Sequence, residues 1–375
     1  MRIARREPTQ PQTRVLDRPP TPSPDATEAA SDHRRGSRRL GVLLVLLATL
    51  LTLASCGGSP TGHTAERSPS GTFPVTITHK YGATTIGSAP KRVVVVGLTE
   101  QDALLALGTV PIATTKWLGV YPGEIGPWAT DRLGEAPMPT VLDSADGIQF
   151  EKIAELRPDL IVALYSDLKK QDYNTLSAIA PTLAPPAGVA DYGIPWDDAT
   201  LTIGKAIGKA TQARTLVDQV AADFAAVRKE HPEFSGRTGA MATMWEGYFL
   251  YGRDDPRTRM LTDLGFTFPE RIDKITGDTY GKSVSVERAD LLKTDVLVWL
   301  LDHPKTDDKA LHDGTVYGRQ RVVREGREVL IDQGADYGNA ISFVTPLTLP
   351  YVLDRLVPQL AAAVDGDPAT PVPST

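Results

Sequence analysis

Several aromatic side chains and one arginine come directly after predicted strands. Trp117 and Tyr121 follow a strand predicted at 110–113, and Tyr165 follows a strand predicted at 159–164. A later group consists of Trp245, Tyr248, Tyr251 and Arg253. Aromatic faces can cover an organic molecule, and the planar guanidinium fork suits anionic oxygens. These residue types predict non-covalent recognition of a small molecule, although each aromatic side chain could instead serve packing.

Motifs for catalysis and for direct metal binding are missing from the sequence. The six histidines are scattered and there is one cysteine, so no cluster of imidazole or thiolate ligands is predicted. No GxSxG, P-loop or GxGxxG occurs. The pairs Asp254–Asp255 and Asp302–His303 could serve acid–base chemistry, but solvated loop acids are the simpler interpretation. We therefore predict no catalytic residues and no protein-bound metal.

One segment of the chain is nearly repeated. Residues 151–162 read EKIAELRPDLIV, and residues 287–298, which lie 136 positions later, read ERADLLKTDVLV. Each copy places an acid, Glu151 or Glu287, at the start of a helix-like run. A short break then leads into an apolar run typical of a parallel strand buried on both faces. The long offset predicts two similar α/β lobes rather than a solenoid.

The surrounding pattern predicts how these lobes are arranged. Strands and helices alternate over 72–196 and again over 233–364, whereas 197–232 carries apolar residues at helical spacing and predicts a connecting helix. Residues 365–375 are rich in Pro and Thr, and we expect them to form a loose tail. Ligands of open α/β sheets bind beyond the carboxyl ends of strands, so two such edges facing each other would form a cleft.

The first 55 residues have the composition of an export signal. Residues 1–37 are polar and predicted to be disordered, and a basic segment then precedes an apolar run of about 14 residues, shorter than the ~20 that span a bilayer. A membrane anchor is the alternative interpretation. Leu53-Ala54-Ser55-Cys56 looks like a bacterial lipoprotein box, so we expect Cys56 to be lipidated and 56–71 to be a flexible tether.

The charge of the chain argues against nucleic acid as a partner. Residues 1–55 hold 9 of the 40 Lys and Arg and 5 of the 46 Asp and Glu, so their removal leaves a net charge of −10. No basic stripe stands out in the remaining sequence, and nucleic-acid binding is therefore not expected.

The order and spacing of several segments resemble the substrate-binding lipoproteins of ABC importers for ferric siderophores. These segments are APKRVV at 89–94, DALLALG at 102–108, EKIAELRPDLIV at 151–162, LSAIAPT at 176–182, LTDLGF at 261–266, SVERADL at 285–291 and AISFVTPLTLP at 340–350. The resemblance covers about 72–364. It implies an α/β fold with two Rossmann-like lobes joined by a long rigid helix, the class III periplasmic-binding-protein fold.

The resemblance also implies a function and partners. It implies a monomeric, non-enzymatic receptor, held by lipid on the extracytoplasmic face of the cell membrane, that passes a ferric siderophore to an ABC permease. Iron would arrive already wrapped in the oxygens of the siderophore, so no cofactor of the protein is expected. Glu151 and Glu287 match the positions at which such receptors dock on the permease. Their alternative role is the favourable placement of an acid in the first turn of a helix.

Site residues follow from the same resemblance. Tyr280 and Tyr337 match positions that contact ligand in relatives, and they join the residues that follow strands. The predicted ligand-binding set is Trp117, Tyr121, Tyr165, Trp245, Tyr251, Arg253, Tyr280 and Tyr337. The predominance of aromatic residues favours a near-neutral hydroxamate or carboxymycobactin-like chelate over an anionic catecholate or citrate complex.

Three alternatives remain open on the sequence. The cargo could be haem or another metal chelate. The scaffold could instead carry a siderophore-processing hydrolase, for which His303 is the candidate base because it lies near a predicted strand end. A structural envelope lipoprotein with a filled cleft is the third.

Overall fold

The computed structural model describes residues 71–117 and 119–374. The export signal predicted over 1–55, the lipidation site Cys56 and all but the last residue of the tether predicted over 56–71 lie outside the described residues. Among the described residues, no single helix is long and apolar enough to cross a membrane. Two helices that satisfy length and composition only together, Asp336–Phe343 and Thr348–Asp365, are bent by 117° relative to each other.

The first lobe is built on a five-stranded parallel sheet. A hairpin of β1 (Val75–His79) and β2 (Gly82–Ile86) precedes it. The sheet has the order β5-β4-β3-β6-β7. Its strands are β3 (Val93–Val95), β4 (Ala113–Thr115), β5 (Thr140–Leu142), β6 (Leu160–Val162) and β7 (Thr182–Leu183). Its helices are α1 (Glu100–Ala106), α2 (Phe150–Glu155) and α3 (Lys170–Ile179). All three residues of β3 and of β6 are buried, because helices cover both faces of the sheet.

The second lobe repeats this strand order with one strand reversed. Its sheet has the order β10-β9-β8-β11-β12, in which β9 is antiparallel to both neighbours. Its strands are β8 (Gly239–Met244), β9 (Tyr248–Tyr251), β10 (Gly281–Val284), β11 (Val296–Leu301) and β12 (Glu328–Asp332). The six residues of β11 are all buried. The run predicted as a helix at 286–293 is a 3₁₀ helix over Val286–Leu292.

The repeated segment occupies equivalent places in the two sheets. β6 pairs in parallel with β3, and β11 pairs in parallel with β8. In the first copy Asp159 accepts 2.8 Å hydrogen bonds from the backbone N–H groups of Lys91 and Arg92. In the second copy Asp295 accepts the N–H of Thr238 at 2.9 Å. The same acid thus fixes the start of the neighbouring strand in each lobe.

The connection predicted over 197–232, as one long helix or two nearly continuous ones, consists of two helices. α4 (Trp196–Ala206) and α5 (Ala210–Glu230) are separated by a short break at Gly208, whose φ of +75° ends the first helix. The Lys209 ammonium then donates to the Leu107 carbonyl at the end of α1. This contact anchors the start of the 21-residue helix α5 to the first lobe.

The chain then completes the second lobe with helices on both sides of its sheet. They are α6 (Pro256–Asp263), α7 (Glu270–Thr276), α8 (Pro304–His312), α9 (Arg321–Arg324), α10 (Asp336–Phe343) and α11 (Thr348–Asp365). The tail that we expected to be loose packs back onto this lobe. Val372 packs against the hydrophobic core, and the Pro373 carbonyl accepts a 2.8 Å hydrogen bond from Gln359. Burial of an apolar side chain therefore outweighs the Pro/Thr-rich composition here.

A second contact joins the lobes besides the connecting helices. Phe343, at the end of α10, lies between two indoles of the first lobe, with ring centroids 4.6 Å from Trp117 and 5.4 Å from Trp128. Close by, Tyr121 donates a 2.8 Å hydrogen bond to Asp336. We call the region of these five residues the inter-lobe contact.

Candidate ligand-binding cleft

A cavity of about 440 Å³ opens between the two lobes at the carboxyl ends of their strands. Trp117 and Tyr165 come just after β4 and β6 of the first sheet, and Asp302 and Gln333 come just after β11 and β12 of the second. The full lining is Leu98, Trp117, Tyr165, Tyr192, Thr243, Met244, Trp245, Phe249, Tyr251, Asp255, Arg257, Tyr280, Asp302 and Gln333. The two strand edges therefore face each other, as the topology of open α/β sheets requires for a ligand site.

Aromatic rings form a continuous wall along this cavity. In the first lobe the centroids of Trp117 and Tyr165 are 6.1 Å apart, and those of Tyr165 and Tyr192 are 5.6 Å apart. The wall crosses to the second lobe where Tyr192 meets Tyr280 edge to face at 6.5 Å. It continues through Phe249, whose centroid is 5.8 Å from that of Tyr280. Both lobes thus present aromatic surface to one bound molecule.

The wall is buried at its base and exposed at its rim. Tyr165 and Tyr251 are 7% and 6% exposed, whereas Trp245 and Tyr280 are 58% and 46% exposed. Burial raises the pKa of Tyr165 and of Tyr251, so both phenols keep their protons at neutral pH. The base of the cavity therefore offers neutral hydroxyl groups rather than phenolates.

A buried ion pair lies behind the aromatic base of the cavity. Asp255 caps α6 by accepting the Arg257 N–H at 2.9 Å, and its carboxylate also takes two guanidinium hydrogen bonds of 2.8 and 2.7 Å from Arg257. The guanidinium carbon lies 4.0 Å from the ring centroid of Tyr251. Burial lowers the pKa of Arg257, but the attraction of the Asp255 carboxylate and its hydrogen bonds raise this pKa by more. The guanidinium therefore stays charged. The cap fixes this arginine beside the site.

A second buried carboxylate supports the first-lobe wall from below. Glu100, at the start of α1, accepts the backbone N–H groups of Leu164 at 2.6 Å and Tyr165 at 2.9 Å. Its other oxygen accepts the N–H of Thr99 at 3.0 Å, whereas the Thr99 side chain makes no capping hydrogen bond to the helix. Burial raises the pKa of Glu100 to about 7. This carboxylate fixes the backbone from which Tyr165 projects.

Five of the eight predicted ligand-binding residues line the cavity together. They are Trp117, Tyr165, Trp245, Tyr251 and Tyr280. Four of them lie at or just after the end of a strand, and Tyr280 is the residue just before β10. Which of them contacts a ligand stays a prediction.

Two of the other three predicted residues are engaged elsewhere. Arg253 projects outward with 61% of its side chain exposed, and it pairs with Asp273 on α7 rather than with Asp254 or Asp255. Tyr121 belongs to the inter-lobe contact, where its hydroxyl donates to Asp336. Neither is among the residues that line the cavity.

Tyr337 is a core residue in the structure. It is 5% exposed in the first turn of α10, and its hydroxyl donates a 2.8 Å hydrogen bond to Gln359 on α11. The helix turns this side chain toward the hydrophobic core of the second lobe, away from the cavity. The sequence singled out Tyr337, but the direction of its side chain depends on the residue at which α10 begins.

Four important lining residues were not predicted. Tyr192 lies in a loop with φ of +57°, and Phe249 lies inside β9, so neither follows a strand. Asp255 was interpreted as a solvated loop acid, but it is 1% exposed in the structure. Arg257 was missed because its position depends on the ion pair with Asp255. The Asp-Pro-Arg sequence at 255–257 is itself a signal, because Asp before Pro is a common helix start.

The two repeated glutamates lie at equivalent positions on the cleft side of each lobe. Glu151 opens α2 and Glu287 lies in the first turn of the 3₁₀ helix, and each element leads into the amino-terminal end of a central strand, β6 or β11. The carboxyl ends of β6 and β11 lie at the cavity, so the helix before each strand runs away from the cavity and begins at the cavity edge of its sheet. Each glutamate therefore lies near that edge. Both side chains are exposed.

The lining consists mostly of aromatic and apolar side chains. Among the described lining residues there is no histidine, cysteine or serine, and His303 is an exposed residue at the start of α8 that does not line the cavity. Nucleophilic catalysis requires a nucleophile within hydrogen-bonding reach of a base. The described lining combines aromatic faces and phenols with Thr243, Gln333, the exposed Asp302 and the Asp255–Arg257 ion pair.

Comparison with known proteins identifies the class to which this fold and cleft belong. The family described as "Periplasmic binding protein" matches residues 93–334. The chain therefore belongs to the periplasmic binding protein family, and the predicted fold class is confirmed.

Individual relatives agree with this assignment. A periplasmic solute-binding protein of Mycobacterium smegmatis is 36% identical, with a TM-score of 0.68 over 77% of this chain and 98% of that chain. PiaA of Streptococcus pneumoniae, solved with ferrichrome, is 26% identical, with a TM-score of 0.68 over 78% and 99%. YhfQ of Bacillus subtilis, provisionally named an ABC transporter substrate-binding lipoprotein, is 28% identical over 79% of this chain and 91% of its own length. These neighbours are substrate-binding proteins rather than enzymes.

Proposed function

We propose that this protein binds a ferric siderophore in the cleft and delivers it to an ABC permease for iron uptake. The observation that carries the proposal is the aromatic wall that crosses from Trp117 to Phe249 through both lobes. A ferric siderophore presents an organic shell around a metal that is already coordinated. Aromatic faces and neutral hydroxyls suit such a shell, and no metal ligand from the protein is needed. The PiaA complex with ferrichrome supports this class of cargo.

Delivery would use the two glutamates on the cleft side. Glu151 and Glu287 sit on different lobes, so a permease contacting both would sense their separation and hence the state of the cleft. Arginines on the permease would complete two charge-assisted ion pairs. Within this proposal the protein acts without catalysis and as a monomer.

Membrane attachment would come from Cys56. Lipidation with two or three acyl chains gives stable anchoring, which a single chain does not. Growth with a labelled fatty acid should label the wild-type protein in the membrane fraction. Cys56→Ser should abolish the label and release the protein. Equal labelling of both forms would exclude Cys56 as the site.

A fluorescence titration tests the cargo. Trp117 and Trp245 line the cavity, so a ferric chelate bound there should quench their emission. The panel contains ferric hydroxamates, ferric catecholates, ferric citrate, carboxymycobactin-type chelates, haem and free iron. Saturable quenching by a ferric chelate, but not by its iron-free form, is expected. Quenching by haem alone would indicate that haem, rather than a ferric siderophore, is the cargo. No response from any compound would contradict the proposal. Hydrolysis of a siderophore ester that His303→Ala abolishes would indicate an enzyme instead.

A further inference from the structure

We infer that the cleft selects ferric chelates without net negative charge, of the trihydroxamate class, over anionic catecholate or citrate complexes. The inference rests on the proposed function, since it concerns which chelate the same cavity takes. Singly charged hydroxamates cancel the ferric charge when three of them bind it. Doubly charged catecholates leave the complex strongly negative. The charge that the cavity presents therefore separates these two classes.

The cavity carries more acid than base. Among the described lining residues, the only carboxylate or cationic side chains are Asp255, Arg257 and Asp302. One guanidinium thus faces two carboxylates, and the formal charge of the lining is negative. Asp302 is exposed just after β11 and lies close enough to Tyr251 to contribute to its raised pKa. An anionic chelate would meet this acid at the mouth of the site.

The guanidinium in the lining is already compensated. Arg257 gives two of its hydrogen bonds to Asp255, and the side chains are 12% and 1% exposed. A pair of this kind is nearly neutral as seen from the cavity. Pulling Arg257 toward an anion would leave a buried carboxylate without its partner, which is strongly unfavourable. Arg257 therefore serves less as an anion receptor than as a flat surface stacked on Tyr251.

Two other cations close to the cavity in sequence, Arg253 and Lys116, are also engaged. Arg253, which the sequence offered as the anion-binding residue, pairs with Asp273 outside the cavity. Lys116, next to Trp117, pairs with Asp143 at 3.2 Å. These pairs are exposed and contribute little to stability, but each places an acid beside the cation that an anionic ligand would need. Neither of these two cations therefore offers an uncompensated positive charge to an anionic ligand.

The aromatic wall supplies the attraction that remains. A chelate with no net charge loses little hydration on entering, and its organic shell covers the rings. A cationic arm gains further from the faces of Tyr192 or Tyr280. An anionic complex must give up its hydration without receiving a free guanidinium in return. The balance favours the uncharged and cationic chelates.

Three ferric probes of different charge test this inference on the full-length protein. They are uncharged ferrichrome, cationic ferrioxamine B and anionic ferric citrate, titrated at low ionic strength. We expect dissociation constants for the first two to be at least about tenfold lower than for the third. The difference between the dissociation constants of ferrioxamine B and ferric citrate should shrink as salt is added, because screening weakens the attraction of ferrioxamine B to the acids. Ferric citrate binding as tightly as the others would overturn the inference but leave the proposed function. No binding by any ferric chelate would remove both.

Two single-charge variants then locate the selectivity. Asp255→Asn keeps an oxygen to cap α6 but frees the charge of Arg257, and it should improve ferric citrate binding by about tenfold or more. Asp302→Asn, at an exposed position that folding does not depend on, should shift the preference in the same direction by a smaller factor. Asp313→Asn removes an equal charge outside the cavity and should leave all three constants unchanged. If neither cavity variant improves ferric citrate binding while both remain folded, the inference is wrong.

Discussion

Thr345 donates a 2.7 Å hydrogen bond to Asp102 across the boundary between the two lobes. The same carboxylate oxygen accepts the indole N–H of Trp128 at 2.8 Å, so it binds one donor from each lobe. Asp102 is 1% exposed, and its second oxygen is buried without a hydrogen-bond partner among the described residues. A carboxylate at this position makes the inter-lobe contact sensitive to pH.

Protonation of Asp102 should stabilise the native protein. Burial raises its pKa from an ordinary value of 3.8 to about 6, and the hydrogen bonds from Thr345 and Trp128 only partly oppose this. Between about pH 4 and pH 6 the native state therefore binds more protons than the unfolded state. The resulting stability is fully present below pH 4 and is lost as the pH rises through about 6.

Asp102→Asn should flatten this part of the pH profile. Denaturant unfolding at pH 4 and pH 7 measures the free energy of unfolding of variant and wild type. The variant's free energy relative to wild type should be higher at pH 7 than at pH 4, by on the order of 3 kcal/mol. Asp131→Asn, at an exposed position of the first lobe, serves as the matched control. Parallel profiles for Asp102→Asn and wild type would contradict the prediction.

Tyr280→Ala should weaken ligand binding without destabilising the fold. The side chain is 46% exposed at the rim, so its loss removes little core packing but breaks the aromatic wall where the lobes meet. We expect the dissociation constant for the bound ferric chelate to rise about tenfold or more. Titration and thermal unfolding check the two effects together. An unchanged affinity would remove Tyr280 from the site.

Tyr337→Phe should have the opposite pattern. Removal of the hydroxyl deletes its hydrogen bond to Gln359 in the core, which should cost about 1 kcal/mol of unfolding free energy. Because Tyr337 does not line the cavity, ligand affinity should stay the same. A weakened affinity at unchanged stability would restore this residue to the ligand site.

Glu151→Arg combined with Glu287→Arg should abolish iron uptake while leaving chelate binding intact. Charge reversal turns two ion pairs with the permease into repulsion, whereas both side chains are exposed and away from the cavity lining. Uptake of labelled ferric chelate by cells is the measurement. Glu230→Arg with Asp313→Arg reverses the same charge elsewhere on the surface and should leave uptake normal. Normal uptake in the first double variant would exclude these positions from docking.

The architecture was predictable because it depends on periodicity. The buried strands β6 and β11 follow from apolar runs, and their equivalence follows from the repeat, down to Asp159 and Asp295 bonding to the neighbouring strand. Residues at or just after a strand end, such as Trp117 and Tyr165, line the cavity, whereas Tyr121 and Arg253, which lie further along the loops, do not. Such features depend on local sequence and on a topology that has few alternatives.

The direction of single side chains in loops and first turns was not predictable. Arg253 and Arg257 are four positions apart in the sequence, yet one points to solvent and the other lies beside the cavity. Asp255 decides between them, because it caps α6 and holds Arg257 from the same carboxylate. Tyr192 reaches the wall from a loop whose path depends on contacts distant in sequence. Tertiary packing, rather than composition, fixes these positions.

The inter-lobe contact has a mechanical consequence. The lobes are attached by the connecting helices and by the region around Phe343, and Arg259 on α6 adds a 2.6 Å hydrogen bond to the Gly193 carbonyl of the first lobe. These attachments leave rotation about the line through the connecting helices and Phe343 as the easiest movement of the lobes. Any other displacement must withdraw Phe343 from between Trp117 and Trp128. We therefore expect the two lobes to move by a hinge rotation through a small angle. Cargo would enter and leave by the opposite edge, and little of its binding energy would be consumed in reshaping the receptor.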